Sequence, residues 1–161
     1  MFQNDDIDMV VEKPNPDHPN QVWDQGRWVD LQQRSETIAV KGAPAVTLQL
    51  RRSRHGPIIT DAYPDNYGQT PVAMWWTFLE TENPILDAFY ELNRADTLDK
   101  ARTAASKIHA PGLNVVWANA SGDIGWWAAA RLPIRPQGVN PTFLLDGTKP
   151  EAEKPGFHPF A

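Results

Sequence analysis

The sequence predicts an α+β fold, built mostly of antiparallel strands with two helices late in the chain. Fifteen prolines and ten glycines in 161 residues imply many turns and short elements. The segments between these turns are short and rich in β-branched and aromatic residues, a composition that is typical of strands. After Asn83 the apolar residues change to the period of an amphipathic helix. We expect a single partial domain that covers residues 1–161.

The first half of the chain predicts strands that pair with their near neighbours. Residues 1–12 form an acidic extended segment, and the prolines within 13–20 exclude a helix or a central strand there. The loop Asp24-Gln25-Gly26 predicts a hairpin between its flanking segments. Further strands are expected at 37–40, 46–50, 58–60 and 72–78.

The second half predicts two helices and a long hairpin. Asn83 and Pro84 are a suitable N-cap and first-turn pair for the first helix. Its predicted inward face consists of Ile85, Leu86, Ala88, Phe89 and Leu92. The second helix is expected from Thr97 to about Ile108, with Asp96 or Thr97 as its cap and Leu98, Ala101, Ala105 and Ile108 inward. The hairpin strands are expected at 113–118 and 124–132, with one short strand at 143–145.

Composition excludes several classes of function. The net charge is −5 and the chain contains no basic run, so nucleic acid is not an expected partner. The absence of cysteine excludes disulfides, thiolate catalysis and Cys-ligated zinc. The longest apolar stretches are too short to cross a bilayer, and the acidic N-terminal residues do not have the pattern of a signal peptide.

Nucleophilic chemistry within the chain is not predicted. The four histidines lack metal-ligand spacing, so surface or structural roles are favoured for them, and no serine lies in a nucleophile-elbow pattern. The segment 54–57, Arg-His-Gly-Pro, predicts a turn in which Gly56 supplies a positive φ and Arg54 is a possible anchor.

The acidic segment Asp5-Asp6-Ile7-Asp8 is the densest group of oxygen ligands. Carboxylates at this spacing, with a carbonyl between them, are able to wrap a calcium ion. Spacing alone favours a solvated acidic segment, because calcium requires six or more oxygens.

Asn114 interrupts an otherwise apolar strand directly after a Pro-Gly corner. If its amide is buried, it requires a hydrogen-bond partner. A neighbouring backbone group is the interpretation that the residues alone favour, and the alternative is an oxyanion that forms during a reaction. Arg131 and Arg135 follow at the far end of the same hairpin, where one of them is a candidate neighbour of Asn114.

Nine segments carry a family resemblance: 5–8, 26–29, 34–42, 54–57, 92–95, 111–114, 121–126, 132–135 and 156–160. In this order they resemble the penicillin acylase (penicillin amidase) family of N-terminal-nucleophile hydrolases. The resemblance implies part of a four-layer αββα sandwich. It also implies a precursor that cuts itself to free a Ser, Thr or Cys at the start of its β subunit. This chain is then an internal segment of that subunit without the nucleophile, and by itself inactive.

The resemblance assigns roles to particular residues. Asn114 matches the oxyanion-hole asparagine, and Arg135 matches an active-site arginine that helps to arrange it. Asp5, Ile7 through its carbonyl, and Asp8 match calcium-site positions. This reverses the preference for a solvated acidic segment that spacing alone gave. The remaining calcium ligands come partly from other segments. Asn119 departs from the family pattern, since many relatives have Asp in this region; if that carboxylate is a calcium ligand, the calcium site is weakened in this chain.

The expected parent is an amide hydrolase, periplasmic or secreted, that cleaves the acyl side chain of penicillin-like or N-acyl homoserine lactone substrates. Its partners are the α subunit and the rest of the β subunit, with neither nucleic acid nor a membrane. Two alternatives remain. The seven tryptophans fit a β module that binds carbohydrate or peptide through exposed rings, and the segment also fits a structural scaffold alone.

Overall fold

The computed structural model describes residues 6–62 and 70–160, and these form two compact units. The strand unit comprises 7–62, 70–75 and 135–153. The helical unit comprises Asp6, 76–134 and 154–160. Most strand pairs are antiparallel and helices are few, which confirms the predicted α+β class.

The strand unit contains most of the sheet. Its strands are β1 (Ile7–Val11), β2 (Gln21–Asp24), β3 (Arg27–Asp30), β4 (Gln32–Ile38), β5 (Val46–Ser53), β6 (Gly56–Pro57), β7 (Val72–Trp76, whose last residue belongs to the helical unit) and β11 (Leu145–Asp146). Short 3-10 helices lie at Ile59–Ala62 and Pro150–Ala152. Strand β1 lies between β11 and β7, and it pairs with β11 in parallel.

The predicted hairpin β2–β3 is confirmed. Gln25 and Gly26 form its turn with φ of 47° and 86°, as a two-residue turn of this twist requires. Val22 is opposite Val29, and Val22 is buried. The core of the unit consists of Val10, Val22, Leu31, Ile58, Ala73, Leu145 and Ala152.

Several strand boundaries differ from the prediction. Strand β4 begins at Gln32 rather than 37, because polar side chains pair across the hairpin: Ser35 Oγ donates to Gln49 Oε1 at 2.7 Å. Ile58 forms only an isolated bridge with Ala73, and a 3-10 helix replaces the strand expected at 58–60. The strand expected at 143–145 lies at Leu145–Asp146.

The helical unit contains three α-helices: α1 (Thr77–Glu80), α2 (Ile85–Leu92) and α3 (Leu98–Ala105). Its strands are β8 (Leu113–Ala118), β9 (Ile124–Ala129), β10 (Pro133–Ile134) and β12 (Gly156–Phe157). Thr97 caps α3 as predicted, since its Oγ1 accepts from the Lys100 N–H at 3.3 Å. No helix among the described residues is long and apolar enough to cross a membrane.

Three predictions about the helices are wrong. Helix α1 replaces the end of the strand expected at 72–78. Pro84 is the N-cap of α2, and the Asn83 side chain instead bonds the backbone of His109 and Ala110. Helix α3 ends at Ala105, although Ile108 is still buried.

The buried face of the helices is narrower than the apolar pattern suggests. Leu86 is 79% exposed, and Phe89 and Leu98 are also exposed although all three were predicted inward. The two helices instead contribute small buried residues: Ala88, Ala101, Ala104 and Ala105. Alanine side chains allow close packing. Leu86 lies about 200° around the helix from the buried Ala88, so it is on the opposite, exposed side.

Candidate functional site

Asn114 is the second residue of β8, opposite Ala128 of β9. Side chains alternate along β8, and the neighbours Leu113 and Val115 pack against the core of Ala88, Ile108 and Ala129. Asn114 therefore points to the opposite face, where it is exposed. The condition of a buried amide is therefore not met in the described chain, because the strand period places the amide outside. Among the described residues, none forms a hydrogen bond with its side chain.

The face that carries Asn114 is apolar. We call it the hairpin face; it consists of Asn114, Val116, Ala118, Ile124, Trp126 and Ala128. Val116 is 74% exposed and stands opposite Trp126, which is 63% exposed. Ile124 is 75% exposed. Asn114 is the only carboxamide of this face, and its N–H donors are exposed to solvent in the described chain.

Arg135 belongs to the strand unit and forms a buried ion pair with Asp8. Its Nε lies 3.1 Å from Oδ1 and 3.0 Å from Oδ2 of Asp8, and its Nη2 lies 3.0 Å from Oδ1. The side chains are 10% and 0% exposed. The structure thus brings together a predicted catalytic residue and a predicted calcium ligand. Asn114 lies in the other unit, so its predicted relationship to Arg135 stays a prediction.

Arg131, the other candidate neighbour of Asn114, is engaged elsewhere in the helical unit. Its guanidinium carbon lies 4.6 Å from the ring centroid of Phe157. Its backbone N–H donates to the carbonyl of His109 at 2.8 Å. These contacts hold Arg131 against β12.

The described residues do not by themselves fit a calcium ion. Asp5 lies outside the described residues, Ile7 is in β1, and both oxygens of Asp8 contact Arg135. Within 6–62 and 70–160, no group of three or more acidic or histidine side chains is arranged to hold a metal. Since calcium takes six to eight oxygens, the calcium site stays a prediction about Asp5, Ile7 and Asp8 together with other segments.

Asn119 has a structural role in the turn between β8 and β9. Its Oδ1 accepts from the backbone N–H groups of Ser121 at 3.0 Å and Asp123 at 2.9 Å. Its Nδ2 donates to Asp123 Oδ2 at 2.8 Å. The amide fixes the turn in a way that a carboxylate, which has no N–H donor, does not reproduce.

Sequence reasoning missed a buried pair in the strand unit. His55 is 3% exposed, and its Nδ1 lies 2.9 Å from Oε1 of Glu12, which is 1% exposed. The Nε2 of His55 is buried without a hydrogen-bond partner among the described residues. A cavity of about 290 Å³ is lined by Glu12, Val22, Asp24, Val29, Asp30, Leu31, Gln32, Arg52, Ser53, Arg54 and His55. The pair could have been suspected from the position of Glu12. It follows Asp8 and Val10 at every second residue, and these residues lie on the buried side of β1.

The neighbouring Arg54 anchors the turn as expected. Its Nη2 lies 2.9 Å from Asp24 Oδ1 and 2.8 Å from Glu153 Oε1. Hydrogen bonds to Glu153 and then to Asp24 raise the pKa of Arg54. The same hydrogen bond with Arg54 lowers the pKa of Glu153. This network joins β2 to the residue that follows the second 3-10 helix.

A family model described as penicillin amidase matches residues 1–161. An acyl-homoserine lactone acylase QuiP of Pseudomonas fluorescens is 33% identical over 138 residues, which are 84% of this chain and 17% of the relative. A penicillin G acylase of Escherichia coli is 29% identical over 144 residues, 89% of this chain and 16% of the relative.

Solved structures give the same result. A thermostable penicillin G acylase from Alcaligenes faecalis superposes with a TM-score of 0.82 at 25% identity, covering 98% of this chain and 28% of that one. This chain therefore spans about a sixth of the length of the curated relatives it matches.

Proposed function

The chain belongs to the penicillin amidase family, and we propose that it is an internal segment of the nucleophile-bearing subunit of an acylase. The reaction is hydrolysis of the amide that joins an acyl side chain to its amine. Similarity to an acyl-homoserine lactone acylase and to a penicillin G acylase supports two substrate classes, N-acyl homoserine lactones and penicillins.

The observation that carries this proposal is the position of Asn114. Its amide is the single carboxamide of the hairpin face, exposed on a regular strand and without a hydrogen bond from the described residues. The strand fixes the face on which the amide lies, and we propose that other segments of the protein fix its orientation, as oxyanion stabilisation requires. Apolar neighbours such as Val116 exclude water once the face is covered, which strengthens an N–H bond to negative charge.

The proposed mechanism has its nucleophile on another segment of the same protein. A Ser, Thr or Cys at the start of the mature subunit attacks the amide carbonyl, and its α-amino group takes the proton. Asn114 Nδ2 donates to the oxygen of the tetrahedral intermediate. The α-amino group then returns the proton to the leaving amine as the C–N bond breaks, and water hydrolyses the acyl-enzyme to release the acid and free the nucleophile. By the family resemblance, Arg135 helps to arrange this donor.

The partners proposed for the chain are the α subunit and the remainder of the β subunit. The exposed apolar side chains Val116, Ile124 and Trp126 support this, because monomeric proteins rarely leave such a group uncovered. A periplasmic or secreted location for the parent is a further proposal that rests on the family resemblance.

The test is Asn114→Ala in the full-length acylase. We expect kcat to fall by about 100- to 1,000-fold with little change in KM, because the lost hydrogen bond forms mainly in the transition state. The unfolding midpoint should change little, since no described residue forms a hydrogen bond with the Asn114 side chain. Asn119→Ala is the matched control in the same hairpin: it should lower stability through the turn but leave kcat near normal.

Turnover of Asn114→Ala within about threefold of the parent would remove Asn114 from the mechanism. That outcome would favour the scaffold alternative. The carbohydrate-binding alternative has little structural support, since only Trp28 and Trp126 of the seven tryptophans are exposed. Trp28 packs edge to face with Trp23 at 5.0 Å, and the Lys13 ammonium lies over both rings.

A further inference from the structure

Among the described residues of the strand unit, Asp8 and Arg135 form the most completely buried ion pair of a carboxylate with a guanidinium. Asp8 lies on β1, and Arg135 begins the segment that returns to this unit after β10. The pair joins residues 127 positions apart through three short contacts. Such contacts fix the plane of the guanidinium as well as its position, which a single hydrogen bond does not do.

Burial makes each charge dependent on the other. With side-chain exposures of 10% and 0%, neither group is well solvated, so removal of one partner takes from the other a buried contact of opposite charge. A calcium ion on the same carboxylate would place a divalent cation beside the guanidinium, and the like charges would repel.

We propose that Asp8 is a positioning residue for Arg135, and that in this chain it holds the guanidinium rather than a calcium ion. The inference deepens the proposed function, on which the active-site role of Arg135 rests. Asp8 then acts on turnover only through Arg135, by holding its side chain in the orientation that the oxyanion donor requires.

The first experiment measures the pair without reference to activity. Denaturant midpoints are compared for the full-length acylase and for Asp8→Asn, Arg135→Gln and the double variant. Each single variant should unfold at lower denaturant, and the double variant should recover at least half of the larger loss, because it removes both charges of the pair together. The exposed pair Asp96 and Lys100, neutralised in the same way, is the control and should show no comparable coupling. Additive losses for Asp8 and Arg135 would overturn the proposal.

The second experiment measures turnover. Arg135→Lys keeps the charge but loses the planar guanidinium that hydrogen-bonds both carboxylate oxygens, so its kcat should fall by about tenfold or more. Adding Asp8→Asn to Arg135→Gln should cause no further loss of kcat, because the guanidinium through which Asp8 acts is already gone. A further loss would overturn the positioning role. A normal kcat for Arg135→Lys, with the stability coupling intact, would instead contradict the proposed function of Arg135.

The third experiment separates the pair from a calcium site. Unfolding midpoints of the parent and Asp8→Asn are measured with calcium chloride and with a chelator. We expect the effect of calcium, whatever its size, to be equal in the two proteins. Stabilisation of the parent by calcium that disappears in Asp8→Asn would assign Asp8 to the metal and overturn the proposal.

Discussion

Nδ1 of His55 lies 2.9 Å from Oε1 of Glu12, and the two side chains are 4% and 1% exposed. The contact joins the turn between β5 and β6 to the end of β1. It places an imidazole within hydrogen-bond distance of a carboxylate. Proteins rarely bury either group without a partner. The strand unit is therefore held by polar contacts as well as by its apolar core.

His55→Ala should lower the free energy of unfolding by about 3–5 kcal/mol, because it leaves the Glu12 carboxylate buried without this partner. Glu12→Gln in the same background should recover part of the loss by removing the charge. The exposed His18 is the control, and His18→Ala should change stability by less than about 0.5 kcal/mol. Equal effects of the two histidine variants in urea denaturation would contradict a role for the pair.

Gly56→Ala should destabilise the strand unit more than the same change at another glycine of positive φ. Gly56 has φ of 134°, and a Cβ there would lie 2.1 Å from the carbonyl oxygen of Met74, a backbone atom that cannot move aside. Gly42 is the matched control, with φ of 77° and nothing within 4 Å of an added Cβ. We expect about 1 kcal/mol for Gly42→Ala from backbone strain alone and at least 2 kcal/mol more for Gly56→Ala. Similar urea midpoints would show that the clash relaxes.

The ion pair of Arg54 and Glu153 should make stability fall in acid. The hydrogen bond from Arg54 lowers the pKa of Glu153 in the folded chain. Its contribution is therefore present above the unfolded pKa and is lost as pH falls through the lower, folded pKa. Glu153→Gln should unfold earlier than the parent near pH 7, and the difference should shrink toward about pH 3.

Salt is the control for this pH effect. Because Glu153 is 42% exposed at its side chain, high ionic strength should also reduce the difference between the two proteins. A difference that is independent of both pH and salt would show that Glu153 acts through packing rather than charge.

The sequence allowed much of the strand pattern to be predicted where local chemistry determines it. The β2–β3 turn needed two residues of positive φ, and Gln25-Gly26 satisfies that locally. The register of β8 and β9 follows from two apolar runs around a Ser-Gly turn. The prediction missed the first residues of strand β4. These residues are polar on both faces of the hairpin, so the sequence there has no apolar residue at every second position to indicate a strand.

The sequence allowed the residues of the candidate site to be identified, but not their positions relative to one another. Asn114 stood out because it interrupts an apolar strand, yet which face it occupies depends on the packing of Leu113 and Val115 against a helix. The pairing of Asp8 with Arg135 spans 127 residues and has no local signal. Sequence placed these two residues in separate roles, and the fold brought them into contact.

The hairpin face should make the 161-residue chain bind a hydrophobic dye while it is folded. Val116, Ile124 and Trp126 are each more than 60% exposed and adjacent on neighbouring strands, so they offer a continuous apolar surface. We expect the fluorescence of an anilinonaphthalene dye to rise on mixing with the chain, and Val116→Thr with Ile124→Thr to reduce that rise by about half. Threonine keeps the β-branched shape, so the double variant should retain its unfolding midpoint.

Leu86→Gln is the control for this surface. Leu86 is 79% exposed on α2, away from the strands, and its replacement should change dye fluorescence much less than the threonine pair does. In the full-length protein the dye signal per chain should be far smaller if other segments cover the face, as the proposed function requires. Strong dye binding by the full-length protein that the threonine pair abolishes would mean that the face remains open there. That result would place Asn114 outside an enclosed site, where its hydrogen bond to an oxyanion would compete with water.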